Sequence, residues 1–329
     1  MLKMDNNKNI VITGITGQDG LFLCSQLLNE NNVDTIYGFT RNVNQSNFMK
    51  RLNYLDKKID TKKIKFIDSK NLFHKNLNSL IGEIKPAYIF NMSGPSSVYE
   101  SLENPENTRN IEYIFQNLIS ACLKNNLKPN FFQASSSEMF GNVKQDLLNE
   151  NTDFFPNSPY AVSKLNVHNS VKKLRIKYEW PIVSGIMFNH ESEFREDKYL
   201  FMKIVNFAIK TKKNETKEPL MLGSLEYRRD WSYAQDITQA AIMMLRSENK
   251  NDYVLGSGES YSIQEIVEIV FNSFDLNWNK YIHIDPSLLR EGDPQEIISD
   301  PSKIKNELGW STTTSIENVI EKIINFKKN

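Results

Sequence analysis

A tyrosine and a lysine stand four positions apart in the chain, at Tyr160 and Lys164. On a helix this spacing puts both side chains on one face. A neighbouring ammonium group favours the phenolate and lowers the pKa of the tyrosine toward working pH. Such a pair can take the proton from a hydroxyl group while its hydride leaves for a nicotinamide. The spacing therefore indicates redox chemistry on an alcohol.

A second group of reactive side chains, Ser135-Ser136-Ser137-Glu138, follows an apolar run typical of a buried strand. One hydroxyl donor beside the tyrosine suffices for a simple reductase or epimerase. Glu138 adds a second base, which indicates a second proton transfer. A sugar 4,6-dehydratase needs one, because oxidation at C4 makes the C5 proton acidic, a carboxylate removes it, and the C6 hydroxyl leaves as water. The alternative interpretation of Glu138 is a salt-bridging loop residue.

A glycine-rich segment, Thr13-Gly-Ile-Thr-Gly-Gln-Asp-Gly20, lies between a strand pattern and a helix pattern. Gly14 permits a tight turn, Gly17 lets the backbone approach a pyrophosphate, and Gly20 permits close packing of helix on strand. The helix that follows offers its free N–H groups to phosphates. The segment predicts a dinucleotide site, with a plain turn as the alternative.

The end of the second predicted strand decides which ribose such a site accepts. An acid there would bind a free 2′-hydroxyl, whereas an arginine favours a 2′-phosphate. The chain has Thr40-Arg41-Asn42 and no acid, which favours NADP and leaves NAD open. Asp68, which ends the third strand, suits an adenine amino group. The alternatives are a surface arginine and an ordinary strand-end aspartate.

Short apolar runs alternate with helical patterns along the first half of the chain. Strands are predicted at 9–13, 35–39, 65–68, 87–91, 130–134, 181–188 and 252–255, and helices at 21–30, 160–178 and 236–245. This alternation predicts an α/β fold, a Rossmann-type doubly wound parallel sheet with a smaller C-terminal substrate-binding lobe. The predicted dinucleotide-binding domain comprises residues 1–188 and about 229–256. The predicted lobe comprises about 189–228 and 257–329.

Composition excludes several classes of protein. Among 329 residues, 40 basic and 40 acidic side chains balance, which argues against nucleic-acid and membrane partners. Two cysteines, Cys24 and Cys122, have neither metal nor disulfide-scaffold spacing. The four histidines are scattered without a zinc motif, so no catalytic metal is expected. The first eight residues lack a signal-peptide pattern and no apolar run is long enough for a membrane span, so we expect a cytoplasmic protein.

The glycine loop followed by Tyr160-x-x-x-Lys164 resembles the short-chain dehydrogenase/reductase superfamily and its extended, sugar-nucleotide-modifying branch. Over nearly the whole chain the sequence resembles the GDP-mannose 4,6-dehydratase family. The segments that carry this resemblance are ITGITGQDG (12–20), FFQASSSEMFG (131–141), SPYAVSKL (158–165), GIMFNHES (185–192), RRDWSYAQD (228–236) and SDPSKIKNELGW (299–310).

The resemblance implies roles for individual residues. Ser136 takes the place of the family's active-site threonine, Glu138 is the C5 base, and Tyr160 and Lys164 are the redox pair. Cofactor contacts are implied for Gly14, Thr16, Gly17, Gln18, Asp19, Gly20, Arg41, Asp68, Ser93, Tyr160, Lys164 and His190. Substrate contacts are implied for Ser96, Asn189, Lys203, Arg229 and Arg290. The implied partners are NADP, a GDP-sugar and further copies of the chain in a homodimer or homotetramer.

The chain departs from the family pattern at several places. The usual N-x-A-A-Q-S-H stretch is Asn91-Met-Ser-Gly-Pro-Ser-Ser97, beside the nicotinamide and the sugar. The paired arginines after the second strand are reduced to Arg41-Asn42, and the proline after Arg290 is Glu291. The arm at 190–197, which in the family reaches a neighbouring subunit's cofactor and supports a tetramer, keeps one arginine, Arg195, where the family has two.

Three alternatives stay open beside a dehydratase acting on GDP-mannose. The segment Ser93-Gly94-Pro95 could admit an N-acetyl group, as in GDP-N-acetylglucosamine dehydratases of nonulosonate (legionaminic acid) synthesis. A nucleotide-sugar C4 epimerase or 4-keto reductase would use the tyrosine and lysine but not Glu138. A redox-sensing binder would use none of the four reactive side chains.

Overall fold

The computed structural model describes residues 8–30, 32–41, 45–143, 147–216, 218–289 and 292–328. These residues form two compact units, each made of three segments of chain. Unit 1 takes its described residues from Met1–Met139, Pro156–Ile186 and Thr238–Tyr253. Unit 2 takes its described residues from Phe140–Phe155, Met187–Ile237 and Val254–Asn329.

Strands and helices alternate through the first part of the chain. The strands are β1 (Ile10–Thr13), β2 (Ile36–Thr40), β3 (Ile64–Asp68), β4 (Tyr88–Asn91), β5 (Asn130–Ser136), β6 (Ile182–Met187), β7 (Asn189–Glu191), β8 (Leu220–Leu222), β9 (Arg228–Tyr233), β10 (Tyr253–Leu255), β11 (Ser260–Ser262), β12 (Ile282–Ile284) and β13 (Glu296–Ile297). The α-helices are α1 (Gln18–Leu28), α2 (Ser46–Leu55), α3 (Leu77–Ile84), α4 (Val98–Glu103), α5 (Arg109–Lys124), α6 (Pro159–Tyr178), α7 (Leu200–Lys212), α8 (Ala234–Arg246), α9 (Ile263–Asn272), α10 (Ser302–Leu308) and α11 (Ile316–Lys328).

Seven strands form one sheet in the order β10-β6-β5-β4-β1-β2-β3. The ladders that join β1 to β2, β1 to β4, β2 to β3 and β4 to β5 are all parallel. The strand order reverses between β1 and β4. In doubly wound sheets ligands bind outside the carboxyl ends of the strands at such a reversal. The α/β fold predicted from the sequence is confirmed.

The core of unit 1 follows from the spacing of apolar residues. On α5 the buried positions Ile111, Phe115, Leu118 and Cys122 recur every three or four residues, which gives the helix one apolar face. These residues belong to a buried cluster that includes Phe131 of β5. The rings of Phe115 and Phe131 meet edge to face with centroids 5.9 Å apart. These contacts pack α5 against β5 in the core of unit 1.

The strands predicted from sequence lie within two residues of the observed ones, but the first helix begins earlier than predicted. It starts at Gln18 and not at Leu21, with Gly17 as its N-cap. Glycine has a low helix propensity, which is why the pattern did not include Gly20 in the helix. Gln18, Asp19 and Gly20 consequently form the first turn of α1.

Unit 2 has its own small sheet, in which β9 pairs with β7, β11 and β13. β9 lies within the 229–256 range that the sequence assigned to the dinucleotide-binding domain, whereas β10, from the same range, belongs to the seven-stranded sheet. Asp230 on β9 is buried and accepts hydrogen bonds from the backbone and hydroxyl groups of Ser257 and Ser299, which tie β9 to other segments of unit 2. Among the described helices, none is both long and apolar enough to cross a membrane.

Candidate functional site

The glycine loop connects β1 to α1 by a turn that only glycine adopts easily. Gly14 has a φ of +70°, in the left-handed region. A Cβ atom on Gly20 would lie 2.3 Å from the carbonyl oxygen of Gly14 and 2.5 Å from the Cα of Ile15. Among the described residues, no side chain caps the first turn of α1 at Gly17. The loop thus leaves backbone N–H groups of a helix N-terminus available to an anion.

The end of β2 is tied to this loop. The hydroxyl groups of Thr16 and Thr40 are 3.0 Å apart and hydrogen-bonded. The next residue, Arg41, is exposed, and Asn42 lies outside the described residues. Asp68, at the end of β3, accepts a 2.8 Å hydrogen bond from the backbone N–H of Lys70 and so caps its own turn. This contact is typical of a strand-end aspartate, the alternative interpretation of Asp68, and the adenine contact stays a prediction.

Tyr160 and Lys164 lie on the first turns of α6. The helix starts with Pro159, and the hydroxyl of the N-cap Ser158 accepts a 3.1 Å hydrogen bond from the N–H of Ala161. Both reactive residues are 7% exposed. The Lys164 Nζ lies 5.6 Å from the centroid of the Tyr160 ring. The cap and the proline therefore fix the helix start that brings the phenol and the ammonium group together.

Burial controls the charge of Lys164. It lowers the pKa of the ammonium group from 10.5 to about 8, because the charged form loses its hydration, while the negative charge of Asp19 on α1 acts in the opposite direction. The Nζ donates a 2.8 Å hydrogen bond to the carbonyl oxygen of Ala134. Lys164 is thus held at a defined acceptor, and its ammonium group loses a proton more easily than that of an exposed lysine.

Ser136 ends β5, and Glu138 lies in the 3-10 turn that follows, Ser137–Phe140. The Ser136 Oγ accepts a 3.2 Å hydrogen bond from the backbone N–H of Glu138. Ser136 is 8% exposed and Glu138 is half-buried. The hydroxyl and the carboxyl group are therefore presented by one short turn at the carboxyl end of β5, in the same unit as Tyr160 and Lys164.

A buried row of polar side chains, which we call the polar ladder, crosses three strands of unit 1. It consists of Thr13 on β1, Asn91 on β4 and Gln133 on β5. Thr13 Oγ1 donates to Asn91 Oδ1 at 2.7 Å, and Asn91 Nδ2 donates to Gln133 Oε1 at 2.7 Å. Gln133 Nε2 then donates at 2.9 Å to the Ala134 carbonyl oxygen that also holds Lys164.

Sequence reasoning missed the polar ladder. Its signal was present: each member is a polar residue in a buried strand that is otherwise largely apolar, within four residues of the strand's carboxyl end. A buried polar group needs a partner. The sequence could therefore have shown that each of the three side chains needs a buried partner, whereas which of them meet depends on the register of the strands.

The segment after β4 is hydrogen-bonded to Thr13, the first residue of the polar ladder. The backbone N–H groups of Met92 and Ser93 both donate to Thr13 Oγ1 at 3.0 Å. Ser96 is exposed, and Ser97 caps α4 by accepting from the N–H of Glu100. Ser93, predicted to contact the cofactor, is therefore tied by its backbone to the residue before Gly14.

Four of the residues implied to contact cofactor or substrate lie in unit 2. Asn189 and His190 are on β7, and His190 Nδ1 is 2.7 Å from the carbonyl oxygen of Phe188. Lys203 is exposed on α7, and Arg229 is on β9. Arg290, which is also implied to bind substrate, lies outside the described residues, as does Glu291.

Arg229 is held by acceptors of its own unit. Its Nη2 donates to Asp293 Oδ1 at 2.9 Å, and its Nη1 donates to the carbonyl oxygens of Arg228 at 2.8 Å and Gln295 at 3.3 Å. The side chains of Arg229 and Asp293 are 11% and 14% exposed. The guanidinium group is oriented by this set of acceptors and is paired with a carboxylate that the sequence did not predict.

The arm at 190–197 packs within unit 2. Phe194 is buried, and its ring lies 5.2 Å from that of Phe326 on α11. Arg195 pairs with Glu191 at 3.5 Å and stacks on Tyr199, with its guanidinium carbon 3.5 Å from the ring centroid. That the arm also reaches a neighbouring subunit stays a prediction.

Within the described ranges, no group of three or more His, Cys, Asp or Glu side chains is arranged to hold a metal ion. Cys24 and Cys122 are buried, and burial raises the pKa of both thiols. This disfavours the thiolate, the form that binds metals and attacks electrophiles.

Comparison with known proteins identifies the family of the chain. The family model of GDP-mannose 4,6 dehydratase matches residues 11–323. GDP-mannose 4,6 dehydratase 2 of Arabidopsis thaliana is 32% identical over 330 residues, which cover 98% of this chain and 87% of that protein.

Two solved structures share the fold at identities too low to carry more than the fold. UDP-N-acetylglucosamine 4-epimerase from Methanobrevibacter ruminantium superimposes with a TM-score of 0.83 at 21% identity, covering 98% of this chain and 99% of that one. DesIV, a dTDP-glucose 4,6-dehydratase from Streptomyces venezuelae solved with NAD bound, gives a TM-score of 0.83 at 19% identity, covering 97% of each chain. The match over almost the whole chain leads to one conclusion: the chain belongs to the GDP-mannose 4,6-dehydratase family of nucleotide-sugar 4,6-dehydratases.

Proposed function

We propose that this protein converts GDP-mannose into GDP-4-keto-6-deoxymannose, with NADP as a tightly held cofactor that ends each cycle unchanged. The observation that carries the proposal is the set of reactive groups in unit 1: the Tyr160–Lys164 pair on α6, and Ser136 and Glu138 on one turn after β5. A reductase or an epimerase has use for the first pair and for Ser136. Only water elimination requires the additional carboxylate.

The residues around the glycine loop fit a dinucleotide. Gly14 takes a left-handed turn, Gly17 is exposed, and no side chain in the described part of the chain caps the first turn of α1. A diphosphate can therefore accept hydrogen bonds from backbone N–H groups there. Arg41 would pair with the 2′-phosphate of NADP, since no acid ends β2. The nicotinamide, when bound, accepts a hydride and later returns it.

The protein's side chains move the protons. Ser136 donates a hydrogen bond to the C4 oxygen of the hexose. Tyr160, as a phenolate beside the Lys164 ammonium, takes the C4 hydroxyl proton as the C4 hydride leaves. Glu138 then takes the C5 proton, which the new C4 ketone has made acidic, and passes a proton to the departing C6 hydroxyl so that it leaves as water. Tyr160 returns its proton to C5 as the hydride arrives at C6.

Substrate binding is proposed for three described residues of unit 2. Arg229 offers a planar guanidinium suited to a diphosphate, and Lys203 an exposed ammonium group. Asn189 supplies a side-chain amide. Ser96 in unit 1, and Arg290, complete the proposed substrate contacts, and His190 is proposed to contact the cofactor.

Self-association is proposed through the outer face of α5 and α6. Tyr113 and Ile176 are large side chains on these helices that are 49% and 82% exposed. Apolar side chains this exposed on neighbouring helices suit a contact with a second copy. Light scattering of Ile176→Glu should show a smaller assembly than wild type, whereas Leu102→Glu on α4 should leave the assembly unchanged. Equal masses for all three proteins would contradict this assignment.

The replacement Glu138→Gln tests the proposed reaction. It keeps the shape of the side chain and removes the base. The variant should still pass hydride from GDP-mannose to the bound cofactor, so the reduced nicotinamide should accumulate and be visible by absorbance. Loss of water should fall by roughly 10²–10⁴-fold, the usual worth of a general base. Turnover near the wild-type rate would refute the dehydratase mechanism, and the replacement Glu103→Gln on α4 serves as the charge-matched control.

A further inference from the structure

The polar ladder runs in one direction across the sheet. Thr13 is paired with Asn91 in the β1–β4 ladder, and Asn91 with Gln133 in the β4–β5 ladder. The three side chains are 0%, 1% and 1% exposed. Each side chain donates to the next toward β5, from the residue before Gly14 to the strand that carries Ser136. Hydrogen bonds arranged head to tail polarise one another, so the amide of Gln133 is a stronger donor than an isolated one.

The ladder ends at the carbonyl oxygen of Ala134. The pairing of β5 with β4 stops at Gln133, so this oxygen lies just beyond the last paired residues. It accepts from Gln133 Nε2 at 2.9 Å and from Lys164 Nζ at 2.8 Å. A buried carbonyl oxygen requires a partner, and here one partner is the ammonium group of the redox pair. The direction of this carbonyl group therefore decides where the Lys164 ammonium lies.

We infer that Gln133 is a positioning residue for Lys164, because its amide group fixes the carbonyl oxygen that holds the ammonium group beside Tyr160. Without the amide, the Ala134 peptide would lose one of its two side-chain donors and the buried Asn91 would lose its acceptor. The ladder also ties this carbonyl to Thr13, which accepts the N–H groups of Met92 and Ser93. One hydrogen-bond network thus connects the residue before the glycine loop, the segment after β4 and Lys164.

Two substitutions separate positioning from a merely structural role. Gln133→Leu removes the donor and the acceptor. The rate of hydride transfer should fall by roughly ten- to a hundredfold, since small displacements of a reacting group have costs of this size. The KM for the nucleotide sugar should not change, because Gln133 is buried, with 1% of its surface exposed.

Gln133→Glu keeps the shape and introduces a negative charge. The amide nitrogen and the Lys164 Nζ share one oxygen atom, so they lie no farther apart than the sum of the two distances given above. A carboxylate at this range favours the ammonium form. The pH at which hydride transfer declines on the alkaline side should move up by about one unit or more.

The inference rests on the proposed redox role of Tyr160 and Lys164, so a second readout must not depend on turnover. Lysine labelled with ¹³C at Cε reports the protonation of Lys164 by NMR, and the Lys164→Arg variant identifies its resonance. In Gln133→Glu this resonance should titrate at a higher pH than in wild type. If wild type shows no activity on any GDP-sugar, the proposed function fails, whereas the titration still decides the role of Gln133.

Ser184→Ala is the matched control. It removes another buried hydrogen bond of unit 1, between Ser184 Oγ and His168 Nδ1 at 2.9 Å, that is not part of the polar ladder. Its pH profile and its Lys164 titration should match wild type. The inference is overturned if both Gln133 variants keep the wild-type profile and titration, or if Ser184→Ala shifts them equally. Should Gln133→Leu fail to fold, the isosteric Gln133→Glu still gives the decision.

Discussion

The Lys164 ammonium nitrogen lies 5.6 Å from the centre of the Tyr160 ring, one helical turn along α6, and both residues are 7% exposed. The phenol group of Tyr160, the proposed proton acceptor, thus lies beside an ammonium group whose pKa is lowered by burial. The chemistry we propose for the protein follows from that pair and from the carboxylate of Glu138.

The pH dependence of hydride transfer should reflect Lys164. Burial lowers the pKa of its ammonium group to about 8, so the positive charge is present below that pH and is lost as pH rises through it. The rate should therefore decline on the alkaline side with a midpoint near pH 8. In Lys164→Arg the charge persists because guanidinium does not titrate in this range. That variant should be slower but lack the decline, and an unchanged decline would assign it to another group.

Gly20→Ala should destabilise unit 1. The added Cβ would meet the backbone at 2.3 Å from Gly14 O and 2.5 Å from Ile15 Cα, and backbone atoms cannot move aside cheaply. The free energy of unfolding should fall by about 1–3 kcal/mol, as for overpacked cores. At Gly17 the nearest atom would be 3.2 Å away, so Gly17→Ala should lose much less. Urea titration measures the free energy of unfolding of both variants. Equal losses of stability would show that the close approach at Gly20 does not cause the destabilisation.

The replacement Arg41→Ala should weaken the binding of NADP but not the binding of NAD. A hydrogen-bonded charge pair with a 2′-phosphate is worth about 1.5–3 kcal/mol, so the Kd for NADP should rise by roughly ten- to a hundredfold. The Kd for NAD should not change, and Arg41→Lys should retain part of the preference. Isothermal titration calorimetry on cofactor-free protein gives these constants. If NAD binds more tightly than NADP to the wild type, the cofactor assignment is incorrect.

Asp293→Asn should strengthen the binding of GDP. In the structure the Asp293 carboxylate forms an ion pair with the Arg229 guanidinium group. A diphosphate that binds Arg229 must therefore compete with this carboxylate. Removing that charge should lower the Kd for GDP by roughly tenfold, equivalent to about 1.4 kcal/mol.

The control for that substitution is Glu296→Gln. Glu296 lies on the neighbouring strand β13 but pairs with Arg228, at 3.1 Å and in a more exposed setting. Its replacement should leave the Kd for GDP unchanged. Weaker binding of GDP by Asp293→Asn than by wild type would mean that Asp293 orients Arg229 for the ligand and does not compete with it.

Local signals in the sequence were sufficient for the redox pair and for the glycine loop. Tyr160 and Lys164 are neighbours because a helix has a fixed period, and Ser158 and Pro159 mark its start. Gly14 and Gly20 are required by contacts within a few residues of themselves. Such features depend on short stretches of chain, so their types and spacing predict them.

Features that depend on distant residues could not be derived in this way. Thr13 and Asn91 are 78 positions apart, Asn91 and Gln133 are 42 apart, and Arg229 and Asp293 are 64 apart. Which residues meet depends on the register of strands and the path of loops. For the same reason the sequence placed β9 with the dinucleotide-binding domain, whereas its partners β7, β11 and β13 belong to unit 2.

The most direct test of the central claim is mass spectrometry of the purified protein incubated separately with GDP-mannose and GDP-N-acetylglucosamine, with no cofactor added. The proposed function predicts the loss of one water from GDP-mannose. Loss of water from the amino sugar alone would retain the mechanism and change the substrate. If neither sugar nucleotide loses water, and NADP added afterwards does not change this result, the assignment of this protein as a GDP-hexose 4,6-dehydratase is contradicted.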